Sequence, residues 1–181
     1  MKRTATPLSL MVAAALAVGA AARAEVVDVQ PSGFAVRETV TVKAPPAAVW
    51  AVLTRPAAWW SPDHTYSHDA ANLTLDARPG GLWTEALPGG GGVKHLEVVY
   101  VDPPRLLRLE GALGPMQAMG GVGHLTVTLA PAEGGTRVTA DYDFGGHEVG
   151  GFAGLAPVVD QVLGQQFSRL QAAAERAAAR P

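Results

Sequence analysis

From Gly33 to Ala44 the chain reads GFAVRETVTVKA, and Phe34, Val36, Val40 and Val42 fall at every second position. This alternation predicts a β-strand with one buried face, since successive side chains of a strand point to opposite sides. Glu38 shares the parity of the apolar set and breaks it. PPAAVWAVLT follows, with prolines placed for a first helical turn and Val49, Trp50 and Leu53 as a short apolar stripe. RPAAWW reads as a second short helical turn. Both pieces are too short to be helical alone and must lie against something larger.

Strand-like runs then alternate with Gly- and Pro-rich breaks: NLTLDA, LWTEAL, VKHLEVVYV, RLLRLEG, HLTVTLAP and TRVTADYDF. Breaks at such short intervals predict antiparallel hairpins rather than parallel βαβ units. The GGGG at Gly89–Gly92 is read as one of these hairpin turns; no helix follows it, so it is not a phosphate loop. From Ala156 the period changes. Val159, Leu163, Phe167, Leu170 and Ala174 recur every three or four residues, while Asp160, Gln161, Gln165 and Arg169 take other faces. This predicts an amphipathic helix of about five turns. One helix with one apolar face and one antiparallel sheet with one apolar face make an economical two-layer α+β domain.

The first residues follow a different pattern. Lys2 and Arg3 precede an almost unbroken apolar run from Leu8 to Ala22, and Ala22-Arg23-Ala24 forms an A-x-A cleavage pattern. The expectation is a bacterial secretory signal peptide over residues 1–24, and a single domain over 25–181 that is periplasmic or secreted. Cleavage there removes three cations and no anion, taking the formal charge from −2 to −5. A mildly acidic chain without a basic cluster is not suited to nucleic acid. Nothing after Glu25 is long and apolar enough for stable membrane insertion. With no Cys in the sequence, disulfides and thiol chemistry are excluded.

The order of these segments resembles a known superfamily. VTVKAPPAAVWAVLTRPAAWW, DARPGGLWTE, VVYVDPPRLLRL and LTVTLAPAEGGTRVTADY together are similar to the START/birch-pollen-allergen (SRPBCC) superfamily, nearest to its Hsp90-ATPase-activator and polyketide-cyclase-like branches. The likeness spans about residues 34–175. It implies a helix-grip fold, in which a curved antiparallel sheet of about six or seven strands wraps the long C-terminal helix and encloses a cavity. It also implies functions as varied as lipid and hormone binding, polyketide cyclisation and co-chaperone activity, among which fold does not choose. A secreted chain is in the wrong compartment for the co-chaperone role.

Candidate chemistry is sparse. His64 and His68 are four apart in WWSPDHTYSHD, but Pro62 and the turn-forming residues argue against a helix, and in a strand the pair would be about 13 Å apart, too far for one ion. The segment is read as the rim of a cavity, with no metal. Trp50 and Trp83 are read as core. Adjacent Trp59 and Trp60 are not expected to point into one core, so one of them should face a cleft or solvent. His95 and Glu97 share a strand parity about 7 Å apart. They form either an acid/base pair in an apolar cavity or a solvated surface pair, and the solvated reading is favoured. Val138, Ala140, Tyr142 and Phe144 should face the helix, bringing a tyrosine hydroxyl inside that needs a partner. Met116 and Met119 lie in a Gly-rich loop suited to an adaptable surface. The glycines of FGGHEVGGFAGLAP suit a gating loop with His147 and Phe152.

The resulting expectation is a protein that binds a small apolar molecule, lipid-like or polyketide-like, in an internal cavity. Expected contacts are Trp60, His64, Tyr66, Trp83, Tyr100, Met116, Met119, Tyr142, Phe152 and Phe167, with no cofactor. Two alternatives stand beside it. One is a cyclase or dehydratase moving protons with His95, Glu97 or Tyr142. The other is an envelope interaction module, favoured if the interior is filled by side chains. No hydrolase, metalloprotease or P-loop signature is present.

Overall fold

Among the described residues a single antiparallel sheet of eight strands carries the fold; numbered in chain order, the strands lie side by side as first, second, eighth, seventh, sixth, fifth, fourth and third. The computed structural model describes residues 23–180, so residues 1–22 of the expected signal segment 1–24 lie outside the described residues. The strands are β1 (Arg23–Gln30), β2 (Gly33–Val42), β3 (Leu73–Leu75), β4 (Leu82–Ala86), β5 (Gly92–Asp102), β6 (Leu106–Gly111), β7 (Gly120–Ala132) and β8 (Gly135–His147). Eight strands exceed the six or seven expected because the edge strand β1 has no clean alternation; Val26 and Val27 are both exposed. Hairpins join most neighbours, and the β4–β5 turn uses Gly89 and Gly90 at φ 84° and 91°, a left-handed backbone that glycine adopts without strain.

The alternation read in β2 and β8 is the burial seen. Phe34, Val36, Val40 and Val42 face inward beside Val138, Ala140, Tyr142 and Phe144, and Glu38 is buried among them. Helix α1 (Pro46–Leu53) starts at a proline and buries Val49, Val52 and Leu53, leaving Trp50 only partly covered. RPAAWW forms a 3-10 turn over Pro56–Ala58.

Helix α2 (Ala156–Ala178) has 23 residues, about six turns. Its buried stripe contains every apolar position expected, plus Gln166. It lies across β2, β1 and α1. The space between sheet and helix is filled by large side chains. Trp59, Tyr142, Phe152, Phe167, Leu109, Leu125 and Leu170 are all essentially sealed from solvent. The helix-grip architecture therefore holds, but the cavity expected beneath the helix is occupied by core.

Candidate functional site: a cavity beside the long helix

An apolar cavity of about 340 Å³ opens at the side of α2 instead. One wall is the N-terminal half of α2, with Val159, Val162 and Leu163. The opposite wall is the loop after β6, with Leu113, Pro115 and Met116. Trp60 closes the inner end, and His64 and Tyr66 stand at the mouth. The described strands contribute no lining residue.

The local sequence explains this placement. The 3-10 turn at Pro56–Ala58 ends at Trp59, whose φ of −141° and ψ of −25° let both indoles turn inward. Trp59 and Trp60 are both buried, at 2% and 6% exposure, which corrects the expectation that they could not share a core. Their rings meet edge-to-face with centroids 5.3 Å apart, and both rest against Trp83. Each indole N–H finds a carbonyl: Trp59 donates to Leu53 at 3.2 Å and Trp60 to His64 at 3.0 Å. Trp60 belongs to the core on one side and to the cavity on the other.

A buried amide fixes the histidine at the mouth. Gln166 of α2 is fully buried; its Oε1 accepts the Ser61 amide at 2.8 Å, and its Nε2 donates to His64 Nδ1 at 2.9 Å. The Ser61 N–H can only donate, so it sets which end of the Gln166 amide faces the histidine. His64 Nδ1 is thereby an acceptor, and the ring proton sits on Nε2 at the cavity mouth. Gln166 falls on the apolar stripe, where a sequence reading assigns no chemistry. The signal that could have found it is a lone amide amid helix positions spaced for burial.

Behind the mouth lies a second polar cluster. Glu85 of β4 and His95 of β5 are both buried, with Oε2 and Nε2 3.0 Å apart. Glu85 Oε1 accepts the Ser67 amide at 2.5 Å. Gln117 donates to the Lys94 carbonyl at 3.2 Å and approaches His95 Nδ1 at 3.3 Å. Burial alone would raise the Glu85 carboxyl, but hydrogen bonds from Ser67, His95 and the Tyr66 backbone outweigh it and hold it below the ordinary carboxylate range. Tyr66 stacks on the His95 ring and donates to the Gly114 carbonyl at 2.8 Å, tying the two loops of the mouth together.

His95 therefore pairs with Glu85, not Glu97. A register shift opposite Trp83 and Thr84 leaves His95 as an extra residue on β5, so His95 and Leu96 are both buried and the alternation breaks. The solvated reading holds for Glu97, which sits 3.4 Å from Lys94 on the outer side, and fails for His95. A second shift between Val98 and Tyr100 turns Tyr100 to the exterior, where it is 49% exposed below the Arg108 guanidinium. Tyr100 is thus not a lining residue.

Among the other expected contacts, Trp60, His64, Tyr66 and Met116 do line the cavity. Trp83 and Phe167 lie one layer back, against Trp59. Phe152 is no gate: it is fully buried against Phe34 and Phe144. Met119 is only partly buried, at the edge of the core. Tyr142 points inward but does not reach the cavity. Among the described residues its hydroxyl has no hydrogen-bond partner; the Leu113 backbone approaches without closing one, and burial pushes the phenol well up. An unpartnered buried hydroxyl costs about 1–3 kcal/mol. Tyr142→Phe is expected to stabilise the protein by about 1–2 kcal/mol in urea unfolding. A loss of stability would show that the hydroxyl has a partner.

Among the described residues, no three His, Asp or Glu side chains converge as a metal-ligand set. No described helix is long and apolar enough to cross a membrane.

Comparison with known proteins sets this geometry in context. A family model described as "Polyketide cyclase / dehydrase and lipid transport" matches residues 33–175. No curated protein matches the chain. A crystal structure of a protein from Rhizobium leguminosarum is similar over 86% of this chain and 98% of its own, at 20% identity and a TM-score of 0.58. The solution structure of an Aha1 dimer from Colwellia psychrerythraea covers 79% and 97%, at 18% identity and a TM-score of 0.57. The crystal structure of NE0264 from Nitrosomonas europaea covers 78% and 94%, at 19% identity and 0.55. At such identities these structures share the fold.

Proposed function

We propose, for a chain that belongs to the polyketide cyclase/dehydrase and lipid-transport family, that it binds a small apolar molecule carrying one hydrogen-bond acceptor in the cavity beside α2. The observation that carries this reading is the contrast at the site: walls of Val159, Leu163, Leu113 and Met116, and at the mouth a histidine whose tautomer a buried glutamine sets. Such sites bind by burying apolar surface, with a few polar groups fixing orientation. A volume of about 340 Å³ is at the lower end for ligand sites. This favours a compact, ring-sized ligand over a long acyl chain. The acceptor of the ligand, a ketone or ester carbonyl, would take the His64 Nε2–H.

Binding is favoured over proton-transfer catalysis because His95, Glu97 and Tyr142 do not face the cavity. The basic n-region, apolar run and A-x-A pattern of residues 1–24 support an envelope location.

Prodan, a naphthalene ketone whose emission reports polarity, tests the site. Saturable binding with a blue shift is expected. Val159→Trp should weaken it at least 10-fold by filling the cavity, and His64→Phe by about 2–10-fold through loss of one hydrogen bond. Unchanged binding in Val159→Trp would overturn the reading.

A further inference from the structure

Two acids near the start of the described chain are left incomplete by the fold. Glu38 of β2 is 1% exposed, and among the described residues neither of its carboxylate oxygens has a hydrogen-bond partner. Asp160 of α2 has a buried Oδ1 without one. A buried carboxyl is ordinarily paired or fully hydrogen-bonded, so Glu38 without a partner beside a second carboxyl is costly. Burial, and then Asp160, push the Glu38 carboxyl up to about 8. Burial also raises Asp160, with the Glu25 backbone amide opposing and the Glu25 carboxylate adding to it.

Both acids lie beside one peptide bond. In the β1–β2 pairing Ala24 stands directly opposite Glu38, and Glu25 opposite Arg37. Such partners lie about 4.5–5.5 Å apart between Cα atoms. The Glu25 amide nitrogen faces Asp160. That nitrogen belongs to the bond that the A-x-A pattern marks for cleavage.

We propose that hydrolysis of the Ala24–Glu25 bond creates the missing partner: the Glu25 α-ammonium docks on Asp160 and neutralises the Asp160–Glu38 pair. A leader peptidase and one water break the C–N bond, leaving a carboxylate on Ala24 and an ammonium on Glu25. Cleavage then replaces a neutral amide that already donates to Asp160 with a cation, beside the buried Glu38 carboxyl and the partnerless Oδ1 of the partly buried Asp160. The inference rests on the secretory reading, and is separate from ligand binding.

Among the described side chains, the other charged groups nearby do not fill this role. The Arg37 guanidinium is on the outer face, 2.6 Å from Asp141. Asp63 and Arg169 line the same groove as Glu38, and the Arg169 guanidinium is committed to the Trp59 carbonyl at 2.9 Å.

The pH dependence has a definite sign. An amine whose pKa is raised by folding adds stability below its unfolded value, about 8, and the gain is lost as pH rises through the folded value. Without the ammonium, Glu38 acts alone, and stability should fall between about pH 4.5 and about 8, as the folded state holds its proton longer.

The test expresses the full-length gene with its leader, beside a version with a Ser-Gly pair inserted after Ala24, which moves the new amine two residues upstream. Intact mass gives the terminus, and thermal melts from pH 5 to 10.5 give stability. The expected result is a chain beginning at Glu25 that melts several degrees higher at pH 7 than the extended one. The gap should close at pH 10.5 and in an Asp160→Asn, Glu38→Gln background. Equal melting at pH 7 would overturn the docking. A terminus other than Glu25 would overturn the processing itself, and the mass alone distinguishes the two failures.

Discussion

Replacing Glu85 by alanine is expected to lower stability by about 3–5 kcal/mol, the usual consequence of removing one partner of a buried ion pair or its hydrogen-bonded equivalent. The loss has two sources. His95 keeps a buried Nε2 with nothing to receive its proton, and the Ser67 amide loses its acceptor. Glu85→Gln keeps an oxygen for one of these donors and should cost clearly less. The effect should also reach the cavity, because Ser67 follows Tyr66, whose hydroxyl bridges to Gly114 across the mouth. Urea unfolding at pH 7 measures the first effect and prodan titration the second. A change below about 1 kcal/mol in Glu85→Ala, the scale of a solvated surface pair, would contradict the buried geometry.

Trp59→Ala is expected to cost about 3–5 kcal/mol for a different reason. Trp59 is 2% exposed and touches Trp60, Trp83 and Phe167 with ring centroids 5.3, 6.1 and 5.9 Å away. Its removal leaves a void where the 3-10 turn, the sheet edge and α2 meet, and void and lost contacts add. Trp60→Ala should divide its effect differently, since that ring is also a wall of the cavity. It should cost less stability than Trp59→Ala and more affinity for prodan. Urea unfolding of both variants, with prodan titration, checks this. The reverse order would mean that Trp59, not Trp60, is the cavity-facing ring.

The two residue periods made most of the fold legible. A period of two in β2 and β8 and of three to four in α2 name the residues that face each other, because burial of one strand face and one helix stripe is what organises a two-layer domain. The site was less legible, for local reasons. Each bulge in β5 inserts one residue and so reverses every parity argument beyond it, which is why His95 turned inward and Tyr100 outward. The polar residues that matter most, Glu38, Glu85 and Gln166, sit at positions spaced for apolar side chains. Nothing in their spacing tells a buried polar group with a partner from an exception to the pattern. The segment carrying Trp60, His64 and Tyr66 reads as a cavity rim, but the cavity's position between two loops and one flank of α2 follows from neither period.

The most direct test of the binding claim is native mass spectrometry of the processed protein, released gently from the cell envelope and compared with its denatured mass. The expected result is an added organic mass that is lost on denaturation, or, in protein stripped of it, one equivalent of prodan taken up and excluded by Val159→Trp. A bare chain that takes up no prodan would contradict it.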